Sequence, residues 1–121
     1  MNWLLDTNIV LYFLGGRLTQ PLPDGTYHVS IITEIELLSY PELDDQAERQ
    51  IRSFLNAINV VGLTHAIKDT AIVLRRRLRL KVPDAIIAAS AIIVNAELLT
   101  NDGGLLSITD FKSRPLPLQA P

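Results

Sequence analysis

The chain contains no cysteine. Disulfides, thiolate metal sites and cysteine nucleophiles are therefore excluded together, and a reducing, cytoplasmic setting is expected. It also lacks an apolar run near the roughly 20 residues that a membrane-spanning helix needs. The nearest candidate, residues 85–94, is short and flanked by charge, so no membrane role is expected. No Lys or Arg precedes the apolar stretch MNWLLDTNIVLYFL, Asp6 interrupts it, and no small-residue cleavage pattern follows. A signal peptide is not expected. Internal repeats, low-complexity tracts and domain-splitting linkers are missing as well. The two histidines, His28 and His65, have no nearby carboxylate pattern and read as structural.

What is present is globular. The 121 residues are 48% hydrophobic and 20% charged, enough for one domain over residues 1–121 with a real core. A net charge of −2 gives the whole molecule no pull on nucleic acid, but the charge is uneven. Asp24 to Glu48 is acidic, whereas Arg75, Arg76, Arg77, Arg79 and Lys81 form a basic cluster. Such a run is ordinarily a solvated helix face, yet it is also the candidate phosphate-binding patch.

Hydrophobic patterning gives alternating strands and helices. Residues 3–5 read as a buried strand, 7–14 as a helix ended by Gly15-Gly16, 17–26 as a Pro/Gly-rich loop and 27–32 as a β-branched strand. Helices are expected over 33–40 and 44–56, a strand over 59–63, and a long helix over 64–80. Pro83 and Asp84 then open a very apolar helix reaching about Asn95, and Glu97 to Thr100 reads as a strand ending in Asn-Asp-Gly-Gly. A fifth edge strand is expected near Leu116. Short apolar strands between helices imply an α/β, Rossmann-like three-layer sandwich with a mostly parallel sheet of four to five strands. Sheets of this kind bind ligands beyond the carboxyl ends of their strands.

Acids fall where that rule points. Asp6 follows the first strand, Asp102 follows the fourth, Glu36 lies soon after the second, and Asp84 opens the apolar helix. Asp84 reaches the same edge if the break at Val82-Pro83 starts its helix there without an intervening strand. Clustered carboxylates repel one another, and a divalent cation removes that cost. An all-oxygen donor set points to Mg²⁺ or Mn²⁺, and so to metal-assisted phosphodiester hydrolysis.

Each acid has a local explanation too. Asp6-Thr7-Asn8 fits a capped strand-to-helix turn. Thr33 and Glu36 match a capping box, Asp84 suits a helix start, and Asn101-Asp102-Gly103 is a turn signal. These readings leave unexplained why the acids take matching ends of successive elements. Glu34 competes with Glu36: two residues apart on a helix, they point roughly 200° from each other, and local pattern does not choose.

LLDTNIVLYFL (4–14), SIITEIELL (30–38), VPDAIIAASAI (82–92) and LLTNDGGLLSI (98–108) resemble, in order and spacing, the signature stretches of PIN-domain nucleases, above all VapC-type toxins. The likeness spans nearly the whole chain. It implies that Asp6, Glu36, Asp84 and Asp102 are the catalytic, metal-binding acids, with the position before Leu-Leu selecting Glu36 over Glu34. Asn8 and Thr100 match polar positions that support the acids. The resemblance further implies a Mg²⁺- or Mn²⁺-dependent endoribonuclease acting on RNA, often a homodimer, and silenced by a cognate antitoxin protein. One departure is that Gly103-Gly104-Leu105 replaces the acid and aromatic that usually follow, removing an auxiliary acid beside a second metal position. Exposed apolar side chains at Ile35, Leu38 and Tyr40 are the expected dimer surface.

Two other classes compete. A phosphorylated receiver domain wants paired acids after strand one, an Asp after strand three and a Lys after the last core strand; Asp6 has no acidic neighbour, and the other two are missing. A non-catalytic RNA- or protein-binding module of the same fold would not need all four acids.

Overall fold

The computed structural model describes residues 1–120. Five strands, β1 (Asn2–Leu5), β2 (Thr26–Ser30), β3 (Asn59–Val61), β4 (Glu97–Leu99) and β5 (Ser113–Arg114), form one sheet in the order β3-β2-β1-β4-β5. Every pairing is parallel. The chain winds outward from β1 through β2 to β3, then crosses to the opposite side of β1 and lays down β4 and β5. The switch in direction therefore falls between β1 and β4.

Alternation along each strand feeds two cores. Trp3 and Leu5 face one layer with Val29 and Leu99, against Ile9 and Val10 of α1 (Thr7–Leu14), Leu37 of α2 (Ile31–Leu38), and Ile51 and Leu55 of α3 (Asp45–Asn56). Leu4 and Leu98 face the other, against Ile67, Ala71 and Leu74 of α4 (His65–Leu78) and the small side chains of α5 (Val82–Ile93). From Ala85 to Ala91 every residue of α5 is buried, because this helix is covered by both the sheet and α4. Its alanines permit close approach, and the one hydroxyl in the run, Ser90 Oγ, donates to the Ile86 carbonyl at 2.7 Å.

α4 and α5 form a hairpin with no strand between them. Thr64 caps α4, whose N–H at Ile67 donates to its hydroxyl at 3.2 Å. The helix stops at Arg79, in the left-handed conformation at φ 57°, and Arg75 Nε donates to the Leu80 carbonyl at 2.9 Å. α5 then begins beside the carboxyl edge of the sheet and ends at the amino edge, where β4 starts. The break falls at residues 79–81, just ahead of the expected Val82-Pro83, which already belong to α5, and it starts that helix without an intervening strand.

Several boundaries differ from expectation. Residues 31 and 32 belong to α2 rather than the strand, because Ser30 is the cap: its hydroxyl accepts the Ile32 N–H at 3.0 Å. The capping box of Thr33 and Glu36 is consequently not formed. Gly103–Leu106 is a short helix, α6, where a turn was expected. β5 lies at Ser113–Arg114 rather than near Leu116, whose backbone is held instead by Asn101: Leu116 N–H donates to Oδ1 at 2.8 Å, and Nδ2 donates to the Leu116 carbonyl at 2.9 Å. The tail continues antiparallel to the α1–β2 loop, with Leu18 bridged to Leu118.

Among the described residues no helix is long and apolar enough to cross a membrane. Leu98 is fully buried between β1 and α5, so Leu98→Ala should lower stability by about 2–5 kcal/mol. Urea unfolding checks this, as a lower midpoint at unchanged slope; an unchanged midpoint would contradict the layer assignment.

Candidate active site

The carboxyl ends of β1 and β4, neighbours at the switch point, present Asp6 and Asp102. Asp6 is the N-cap of α1: its Oδ1 accepts the Thr7 N–H at 2.8 Å. Its Oδ2 accepts the buried Thr100 hydroxyl at 2.7 Å. Asp6 N–H donates to the Leu99 carbonyl at 2.9 Å, extending the β1–β4 pairing by one residue. The side chain is 7% exposed. Burial pushes its carboxyl above the ordinary value of 3.8, the Thr100 and Thr7 bonds oppose the rise, and the charges of Asp84 and Asp102 add to it.

Asp102 caps α6, with Oδ1 accepting from Gly104 N–H at 2.8 Å and Leu105 N–H at 3.3 Å. Its own N–H donates to Thr100 Oγ1 at 3.0 Å. Thr100 therefore joins the two acids, giving a proton to one side chain and accepting one from the other's backbone. Asp84 stands half-buried in the first turn of α5, where the helix dipole favours an acid. Burial raises its pKa first, Asp102 and Glu36 raise it further, and Lys81 opposes them.

Glu36 is exposed on α2, and its Oε1 accepts the Thr7 hydroxyl at 2.7 Å. Thr7 Oγ1 also lies 2.9 Å from Thr33 Oγ1. Because Thr7 gives its single proton to Glu36, Thr33 must donate to Thr7. The missed capping box thus frees Glu36 for the cleft. Glu34, on another face of α2, is not among the charges that act on Asp84.

Asp6 thus feels the charges of Asp84 and Asp102, and Asp84 those of Asp102 and Glu36, so the four acids are neighbours beyond the carboxyl edge of the sheet. Among the described residues no three acid or imidazole groups stand close enough together to hold a metal ion as they are. The donor chemistry nonetheless fits a hard divalent cation. All donors are carboxylate oxygens, and burial makes Asp6 costly to ionise without an opposing charge. Of Asn8 and Thr100, Thr100 donates its hydroxyl to Asp6 Oδ2. Asn8 is exposed and makes no side-chain hydrogen bond among the described residues.

The basic run divides. Lys81 is near enough to Asp84 to lower its pKa. Arg75 holds the Leu80 carbonyl, and Arg77 pairs with Asp110 at 2.9 Å. Arg76 and Arg79 are exposed and make no ion pair among the described residues. Sequence reads Thr7 only as part of a capped turn and Thr33 only as half of a capping box, neither as a support for the acids. Their signal was the three-residue spacing of Thr33 and Glu36, which places both on one helix face but was read as a cap.

A family model described as PIN domain matches residues 3–111. Among solved structures, the chain is 28% identical to one from a toxin-antitoxin complex of Klebsiella pneumoniae, with 88% of this chain and 92% of that chain covered and a TM-score of 0.75. It is 26% identical to one from VapBC-1 of nontypeable Haemophilus influenzae, covering 95% and 98% at a TM-score of 0.76. A chain from VapBC2 of Rickettsia felis bound to a promoter DNA fragment shares the fold at 23% identity, covering 95% and 98% at a TM-score of 0.79. No curated protein matches the chain.

The raised pKa values carry a sign. Folded Asp6 and Asp84 hold their protons more tightly than the unfolded chain does, so stability falls as pH rises from 3.8 through their raised values. With EDTA present, Asp84→Asn should therefore raise the melting temperature at pH 8 and change it little at pH 4. Equal effects at both pH values would contradict a raised Asp84 carboxyl. Thr100→Val leaves the shape intact but removes the donor to Asp6 Oδ2, and should cost about 1–3 kcal/mol by chemical denaturation.

Proposed function

The chain belongs to the PIN domain family, and from that premise we propose that it is a Mg²⁺- or Mn²⁺-dependent endoribonuclease, the toxin of a toxin–antitoxin pair. The observation that carries this reading is the meeting of Asp6, Glu36, Asp84 and Asp102 at the carboxyl edge of β1 and β4. Asp6, Asp84 and Asp102, with Glu36, would hold the ion, which supplies Lewis-acid polarisation of a phosphoryl oxygen and a more acidic water.

The chain's own residues do the positioning. Thr100 fixes the Asp6 carboxylate from behind through Oδ2, leaving each oxygen one further lone pair for the cleft. Thr7 holds Glu36 toward the site. Asp102 keeps Oδ2 clear of backbone donors because both amides go to Oδ1. Asp84, raised first by burial and then by the charges of Asp102 and Glu36, holds a proton more readily than a free carboxyl does. Lys81 supplies a cation at the rim for a substrate phosphate.

Protein partnership is supported by the Klebsiella pneumoniae relative, which comes from a toxin-antitoxin complex. A cognate antitoxin has a suitable surface in the apolar groove lined by Leu11, Leu14, Leu37, Tyr40, Leu43 and Ile51, a space of about 320 Å³ edged by Glu42 and Asp44. Such a groove suits an apolar segment carrying basic residues.

Asp6→Asn and Asp84→Asn should each reduce divalent-ion-dependent RNA cleavage by about 100-fold or more while the circular dichroism spectrum stays native. Full activity in a cleanly purified Asp84→Asn protein would overturn the reading.

A further inference from the structure

The backbone pairing of β4 with β5 ends one step short of Asp102, and a side chain takes over from it. Leu98 N–H donates to the Lys112 carbonyl at 2.9 Å, and Thr100 N–H donates to the Arg114 carbonyl at 3.1 Å. Parallel pairing advances two residues on each strand per bond. The next donor would therefore be the Asp102 N–H, and the next acceptor the Leu116 carbonyl. Asp102 N–H turns instead to Thr100 Oγ1 at 3.0 Å, and Leu116 is held by the side chain of Asn101.

Asn101 suits this exchange because its amide offers what a strand backbone offers, an acceptor oxygen and an N–H donor. Oδ1 accepts the Leu116 N–H at 2.8 Å, and Nδ2 donates to the Leu116 carbonyl at 2.9 Å. Both backbone groups of Leu116 are satisfied without help from Asp102. The anchor itself is firm. Leu116 packs into the layer of α1 and α3, and beyond it Thr19 N–H donates to the Pro117 carbonyl at 3.1 Å and Gln119 N–H to the Arg17 carbonyl at 2.8 Å.

What the exchange frees is the Asp102 N–H. Leaving the sheet at this residue lets it reach Thr100 Oγ1, whose own proton goes to Asp6 Oδ2. The same departure lets α6 begin, with Asp102 Oδ1 on the amides of Gly104 and Leu105. Continued pairing with Leu116 would draw Asp102 away from both arrangements. We propose that Asn101 is a positioning residue for the acids Asp6 and Asp102. By standing in for the Asp102 backbone at Leu116, it turns that backbone out of the sheet and onto Thr100. Asn101 acts through Thr100 and Asp102 rather than on substrate. This role presupposes that these acids form the nuclease site.

Crystal structures of the metal-free full chain and Mn²⁺ titration calorimetry test it together. In the wild type and in Leu116→Ala, which loses packing but keeps the clamped backbone, Asp102 N should stay within hydrogen-bond distance of Thr100 Oγ1. In Asn101→Ala the N–H should turn to the Leu116 carbonyl, and Mn²⁺ affinity should fall by about tenfold, as is usual for groups that orient metal ligands. Leu116→Ala should bind Mn²⁺ like the wild type although it unfolds at a lower urea concentration. Asn101→Asp keeps the acceptor for Leu116 N–H and loses the donor. It should show the same turn of Asp102 even if the Ala variant does not fold. An Asp102 N–H still on Thr100 in the Asn101 variants would overturn the proposal. So would a Mn²⁺ affinity unchanged in Asn101→Ala, or lowered equally in Leu116→Ala. A wild type that binds no Mn²⁺ would overturn the nuclease reading instead, and the position of the Asp102 N–H would still decide the role of Asn101.

Discussion

The buried hydrogen bond from Thr100 to Asp6 is the contact on which the site depends. It joins the residue after β4 to the residue after β1, across the place where the winding of the sheet reverses. A carboxylate this buried is expensive to ionise, and a short bond from a neutral hydroxyl lessens the expense without adding charge. The same hydroxyl accepts the Asp102 N–H, so the spacing of two acids is set by one side chain. Register between β1 and β4 is what delivers Thr100 there: Leu5 pairs with Leu99, and the next residue on each strand is a site residue.

The acids are also helix caps or first-turn residues, and that dual role is physically economical. Asp6 caps α1, Asp102 caps α6, and Asp84 lies in the first turn of α5. Each stands where unpaired backbone N–H groups already favour negative charge. The local readings of these residues as helix-start chemistry and the functional reading are therefore the same arrangement seen at two scales. Helix ends bring rigidity, and rigid carboxylates are what a shared site requires.

Much of this was legible in the sequence. The strand and helix order followed from apolar runs and their periods, and the convergence of the acids followed from the parallel topology. Less legible were features set by competition between neighbouring hydroxyls. Ser30 and Thr33 both offer a helix cap, and only the burial of Thr33 beneath Thr7 decides for Ser30. The edge strand β5 was placed too late, because the Asn101 clamp on Leu116 leaves no trace in local pattern. The basic run reads as one patch in sequence, yet its members turn out to serve separate ends.

Asp102 brings one oxygen already committed to two backbone amides, and Asp6 brings both oxygens with one bond each. Asp6 keeps a lone pair free on each oxygen, but Asp102 could clasp an ion with both oxygens only by giving up a hydrogen bond within the protein. As a cation site it would discriminate by denticity. A large cation that gathers seven or eight oxygens gains by doubling up on carboxylates, whereas a small octahedral one is content with single oxygens and water. The cap that holds Asp102 still would thus bias such a site toward small cations before any ion is bound.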